Sequence, residues 1–246
     1  QKHLPKDGSL SLIDKTDEFS CQIFTGPVTR DILSGICDAD LSLPWLSWQR
    51  TKISGRDVML FRVSYAGELG WEIHTRNADT EAVYDAVMEA GSGHGLTPIG
   101  MFALNSLRLE KGYRTWKGDL STDYTIMQSG LDRFINWSKP SFRGKAAIER
   151  EKQQGSSKRF VTLVVEAEEC DAPYMSTLWH GDEVVGETTS GDWGHRVDKS
   201  IALGMVRTDL AVPGTSLEVE IFGNRVPAIV QADEPLWDAA NERLRA

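Results

Sequence analysis

Alternating apolar and polar side chains mark the middle of the first half of the chain. Over residues 58–65, Met59, Phe61, Val63 and Tyr65 share one parity, and Val58, Leu60, Arg62 and Ser64 share the other. Period-two spacing of this kind predicts a strand. The strand enters a turn at 66–70 (AGELG), whose two glycines supply backbone freedom. A β-rich run over 71–75 leaves the turn, so 57–75 reads as a hairpin. Upstream, residues 10–23 are β-like, with a break at Asp14-Lys15-Thr16. Gly26-Pro27 then opens a helix with proline at its first position, and Ile32, Leu33 and Ile36 form its apolar stripe. Residues 38–48 read as irregular, with Pro44, Trp45 and Trp48 covering a core edge. Downstream, Asn77 is expected to cap a helix running through Ala90, with Val83, Tyr84, Val87 and Met88 buried and Gly91 as its stop. Thr97 is expected to cap a further helix that Gly112 ends. On that helix Ile99, Phe102, Ala103 and Leu107 lie on one side, and Met101, Leu104, Asn105 and Arg108 on another.

The pattern changes twice after that. Residues 113–130 (YRTWKGDLSTDYTIMQSG) are aromatic and polar without periodicity, and long loops in compact domains are often functional. Residues 142–153 predict a surface helix. Gly155-Ser156-Ser157 is the best internal boundary. Beyond it come six short β-rich runs, at 160–166, 176–179, 183–188, 200–206, 216–221 and 225–230, separated by glycine-containing turns. Closely spaced short strands of this kind predict a small β-barrel or sandwich.

With 246 residues and 40% apolar content, the chain suffices for one large or two modest domains with real cores. The formal net charge of −9 argues against a nucleic-acid partner. No apolar run approaches the roughly 20 residues of a membrane span, and no signal or transit pattern is visible. Three widely spaced cysteines, Cys21, Cys37 and Cys170, argue against a disulfide framework or zinc site and fit a reducing compartment. A cytoplasmic location is therefore expected, or the mitochondrial matrix in a eukaryote. The chain opens on Gln1 in a polar run, as a fragment, processed subunit or trimmed chain would.

The chemistry gathers on the hairpin. Glu72 and His74 are two residues apart on one strand, so both leave the same face. With the phenol of Tyr65 they form a small polar reader. An ionised carboxylate accepts two N–H donors side by side, as a guanidine-like edge requires, and a phenol ring can cover a flat heterocycle. The bland alternatives are solvent-facing charges on an edge strand for Glu72 and His74, and a core tyrosine for Tyr65. Arg108 and Glu110 read as a structural pair. Trp116 reads either as a plug under the long loop or, with Asp119, as part of a channel. His195 reads as a loop histidine, and Cys37 and Cys170 as inert thiols. No histidine–carboxylate spacing points to a metal, so no metal ligand is assigned.

Four segments in register carry a family resemblance: RVSYAGELGWEIH, GMFALNSLRLEKGYRTWKGDLSTDYT, KPSFRGKAAIE and VVGETTSGDWGHRVDKSIALGMV. The chain resembles the folate-binding aminomethyltransferase superfamily, that of the glycine-cleavage T-protein. Within it, the C-terminal folate domain of dimethylglycine and sarcosine dehydrogenases is most similar. The resemblance implies an α+β fold: an antiparallel-sheet/helix folate-binding unit with a ferredoxin-like element over 1–154, then a small C-terminal β-barrel over 155–246. It implies tetrahydrofolate as ligand, with Tyr65, Glu72, Ile73, His74 and Arg133 as folate-binding candidates and Glu72 on the amino and ring N–H groups of the pterin. In the dehydrogenases a flavin oxidises an N-methylamine, and the folate captures the carbon as 5,10-methylene-tetrahydrofolate.

The departures matter as much. The T-protein branch has an Arg-Asp pair where this chain has Leu104-Asn105, which weakens T-protein activity and fits the dehydrogenase branch. Arg133 replaces an aromatic found in some relatives. The family's catalytic aspartate falls upstream of Gln1, so no catalytic residue is assigned. No GxGxxG fingerprint is present, so FAD is expected only in a missing flavin domain or a partner subunit. Two other functions stay open: a stand-alone aminomethyltransferase working with a lipoyl carrier, and a non-catalytic interaction module that retains the fold.

Overall fold

The computed structural model describes residues 3–246. The chain divides into two compact units, Gln1–Ser64 with Glu68–Pro98 and Arg243–Ala246, and Tyr65–Gly67 with Ile99–Glu242.

The first unit holds β1 (Phe19–Thr25), α1 (Thr29–Ser34), β2 (Trp48–Ile53), β3 (Arg56–Phe61), β4 (Gly70–Arg76) and α2 (Thr80–Gly91). Its strands form one antiparallel sheet in the order β1-β4-β3-β2. The alternation read from the sequence decides which face is covered. Trp71, Ile73 and Thr75 of β4 are buried, with Val58 and Leu60 of β3, while Glu72 and His74 are only partly covered. The buried set meets Ile32 and Leu33 of α1 and Val83 and Val87 of α2 in one core. Inside this unit Arg62 is buried. Its guanidinium donates to the carbonyls of Gly70, Leu244 and Ala246 at 2.9–3.1 Å, between the rings of Trp45 and Trp71.

The second unit holds α3 (Met101–Glu110), α4 (Lys145–Gln154), β5 (Lys158–Val165), β6 (Thr177–His180), β7 (Glu183–Gly194), β8 (Lys199–Arg207), β9 (Ser216–Ile221) and β10 (Asn224–Val230). The six strands close into a barrel, β10-β5-β8-β7-β6-β9. Closure leaves no unpaired edge. Leu163, Leu178, Ala202, Val219 and Ala228 fill the interior. β7 bends at a register shift between Thr188 and Ser190. At Gly186 an added Cβ would sit 2.0 Å from the Met205 carbonyl oxygen, so only glycine fits this crossing. α3 packs on β7 and β8. Compactness thus groups α3 and the 113–130 loop with the barrel, whereas the sequence boundary falls after 154.

The antiparallel sheet, the helices and the barrel are the expected α+β architecture, and five of the six barrel strands lie within two residues of their predicted bounds, while β7 runs on through Gly191 to Gly194 instead of ending at Thr188. Local differences have physical causes. Residues 10–18 form no strand, and Leu10, Leu12 and Ile13 are exposed because nothing pairs with them. The strand expected over 58–65 ends at Phe61; the Arg62 backbone still bonds Ser47 and Leu46, while its side chain turns into the unit to bond the carbonyls above. Asn77 bonds Ser20 and the Asp17 carbonyl instead of capping, and α2 starts at Thr80. Tyr84 is exposed there. α3 starts at Met101 and turns Leu104, Ser106, Arg108, Leu109 and Glu110 inward, leaving Phe102 88% exposed.

The barrel interior sets a stability prediction. Leu163 is fully buried; Leu163→Ala is expected to cost about 2–5 kcal/mol, the range for a leucine cavity. Val184→Ala, at an exposed strand position, should stay within about 0.5 kcal/mol. Urea denaturation of both variants checks the contrast.

Candidate functional site on the open sheet face

The pleat of the sheet sends every second residue away from the helices. β1 and β4 pair so that Cys21 lies opposite His74 and Ile23 opposite Glu72. β3 sets Met59 opposite His74 and Phe61 opposite Glu72. The face therefore carries Cys21, Glu72, His74 and Phe61 side by side. His74 Nε2 lies 3.0 Å from Glu72 Oε2. The Phe61 ring sits 4.8 Å from the imidazole and stacks on Trp48 at 5.6 Å. No described residue bonds Glu72 Oε1, so half of the carboxylate is free to accept hydrogen bonds. Partial desolvation and the Glu72 charge push the Cys21 thiol up to about 11, so it is protonated at neutral pH.

The predicted site residues do not all meet on this face. Glu72 and His74 do. Ile73 points the other way, into the core between sheet and helices, and its strand is paired on both sides. Its side chain therefore builds the fold. Tyr65 and Arg133 belong to the second unit. There the Tyr65 ring stacks on Tyr113 at 6.0 Å. Its hydroxyl is buried without a well-formed hydrogen bond. Desolvation raises its pKa, Arg108 and Thr115 draw it down, and Asp119 adds a further rise. Arg133 is exposed against the Phe134 ring at 5.1 Å and has no acidic partner among the described residues.

Two further expectations are corrected. Arg108 and Glu110 do not pair with each other. Arg108 donates to Asp119 Oδ2 at 2.6 Å, and also to Asn105, Ser190 and the Tyr113 carbonyl. The Glu110 carboxylate accepts from the backbone amide and the guanidinium Nε of Arg196. Asp119 is fully buried and takes further bonds from Thr189, Ser190 and the Thr115 amide. Trp116 is 68% exposed and plugs no core. His195 lies exposed at the β7–β8 turn, as read. Cys21 and Phe61 escaped the site reading. The only trace of Cys21 was its parity with Ile23 in FSCQIFT, and its opposition to His74 depends on pairing across 53 positions of chain.

An antiparallel sheet unit joined to a closed six-stranded barrel defines the class, and comparison with known proteins supplies the family. Residues 1–139 match the GCVT N-terminal domain and residues 158–238 the glycine cleavage T-protein C-terminal barrel domain. The chain belongs to the glycine cleavage T-protein family. It is 37% identical over 235 residues to dimethylglycine dehydrogenase, mitochondrial, of Rattus norvegicus, covering 94% of this chain and 27% of that one. It is 39% identical to sarcosine dehydrogenase, mitochondrial, of Mus musculus, covering 95% and 26%. With the aminomethyltransferase of Saccharopolyspora erythraea the identity is 33%, covering 89% and 60%. The crystal structure of glycine cleavage system aminomethyltransferase T from Bartonella henselae superposes with a TM-score of 0.80 at 24% identity, over 90% of this chain and 60% of that one. The chain thus spans about a quarter of the dehydrogenases' length. Among the described residues no helix is long and apolar enough to cross a membrane.

Because Glu72 contributes to holding the Cys21 thiol high, Glu72→Gln should lower that pKa from about 11 while desolvation keeps it above the ordinary value. Iodoacetamide labelling followed across pH by peptide mass spectrometry reads this directly. An unchanged Cys21 titration would show that the two side chains do not interact.

Proposed function

We propose that this chain is the tetrahydrofolate-binding portion of a flavin-dependent N-demethylating dehydrogenase of the dimethylglycine/sarcosine type, passing a one-carbon unit to the folate as 5,10-methylene-tetrahydrofolate. The observation that carries the reading is the half-free carboxylate of Glu72, fixed by His74 at one oxygen and open at the other. An anionic acceptor held beside an aromatic wall suits the amino and ring N–H edge of a pterin. Charge-assisted bonds to such an edge contribute about 1.5–3 kcal/mol. Tetrahydrofolate itself supplies the amine that accepts the one-carbon unit.

The dehydrogenase branch is favoured by the 37–39% identity to proteins named dimethylglycine and sarcosine dehydrogenase. Leu104-Asn105 in place of Arg-Asp agrees: Leu104 is buried, and Asn105 is occupied by Asp192 and Arg108. FAD and the amine oxidation then belong to another domain or a partner subunit. Relatives named as mitochondrial and three unbonded cysteines support a reducing compartment, the cytoplasm or the mitochondrial matrix. The similarity to aminomethyltransferases supports a second reading, a stand-alone methylene transferase. A transfer assay with a lipoylated carrier protein would establish it.

Calorimetric titration with tetrahydrofolate tests the main reading, on this chain and on the chain extended by the upstream part of the folate domain. Tight binding is expected for the extended chain, and Glu72→Ala should weaken it about 10- to 150-fold, the equivalent of one charge-assisted hydrogen bond. Equal affinity for the variant and the unaltered protein would remove Glu72 from the pterin.

A further inference from the structure

The open sheet face places three different metal-ligating atoms together. The Cys21 thiol, a Glu72 carboxylate oxygen and a His74 ring nitrogen all lie within 4.8 Å of one another. Two adjacent strands fix them. Cys21 and His74 are directly opposed in register, and Glu72 is the next residue on the same face of β4. The thiol is exposed, and the carboxylate and imidazole are partly so, which leaves the side away from the sheet open. From this geometry we propose that Cys21, Glu72 and His74 form a three-ligand site for a thiophilic divalent cation of the zinc class, with a fourth position facing solvent.

The chemistry selects the ion. Zinc takes sulfur at about 2.3 Å and nitrogen or oxygen at about 2.0–2.2 Å, so tetrahedral donors sit roughly 3.3–3.6 Å apart. The His74–Glu72 separation of 3.0 Å and the 4.8 Å limit of the trio bracket that spacing, so rotation of side chains suffices. A thiolate, a carboxylate and a neutral imidazole offset the two positive charges of the ion. A thiol and an imidazole in a set of three disfavour magnesium and calcium, which prefer oxygen shells. On binding, the metal–sulfur bond forms as the thiol proton leaves to solvent. The Phe61 ring, 4.8 Å from the imidazole, packs against it on the remaining side. Three protein ligands with an open fourth position differ from purely structural zinc, which is closed by four protein ligands. Glu72 is shared with the proposed pterin contact, so the ion and the folate edge compete for one carboxylate.

The test uses the full chain, reduced and freed of metal, with no folate added. Titration with cobalt(II) should saturate at one equivalent and give a thiolate-to-cobalt charge-transfer band with visible d–d bands of tetrahedral intensity, and zinc should bleach both. Cys21→Ser should abolish the charge-transfer band. His74→Ala should weaken cobalt binding by more than the ~10- to 100-fold typical of losing an outer-shell partner. Cys37→Ser and Cys170→Ser should leave the spectrum unchanged, with circular dichroism confirming that each variant is folded. Absence of the band in the unaltered chain, or its survival in Cys21→Ser, would overturn the site. Folate titrations run in chelator report on the pterin contact alone, so either proposal can fail without the other.

Discussion

Everything on the open face depends on the two-sided pairing of β4. It is hydrogen-bonded to β1 on one flank and β3 on the other, which fixes its register at every residue. Trp71, Ile73 and Thr75 are then committed to the core, and Glu72 and His74 to the opposite side. A slip of one residue would bury the carboxylate and imidazole and expose the tryptophan and isoleucine. The hydrophobic core thus acts as the positioning device for the polar pair.

Buried charge in the second unit serves a different purpose. Arg108 spends its guanidinium donors on Asp119, Asn105, Ser190 and the Tyr113 carbonyl. Asp119 in turn accepts from a guanidinium, two hydroxyls and an amide. Nothing in that network is left over for a ligand. Its role is to fasten α3, the 113–130 loop and β7 together at a point where a charge without partners would be costly. The aperiodic loop, which reads as functional from sequence, is therefore anchored by structural bonds at Asp119.

Satisfaction of polar atoms separates scaffold from site. Arg108, Asp119 and Glu110 are saturated with protein partners. Glu72 keeps one free oxygen and the Tyr65 hydroxyl has no well-formed bond. The Glu72 side chain is 39% exposed, so a ligand has access to its carboxylate from solvent. The folate and zinc proposals both start from Glu72, because its carboxylate stands next to an imidazole and a thiol.

Periodicity alone determined much of this protein. Alternation at 58–61 and 71–75, and six short strands after Gly155, are local properties that survive without knowing what packs where. The shared face of Glu72 and His74 follows from the two-residue repeat, and the family from four segments in register. Helix faces and partners were not legible. Helical spacing sorts α3 into two sides but does not say which is buried; the barrel it meets decides, so Phe102 is exposed and Arg108 enclosed. Glu110 finds Arg196 only because the chain folds back over 86 positions, and Arg108 meets Asp119 through the aperiodic loop that follows α3. Cys21 joined the site for the same reason: strand pairing is a non-local bond, and only the tertiary structure decides which residue stands across from His74.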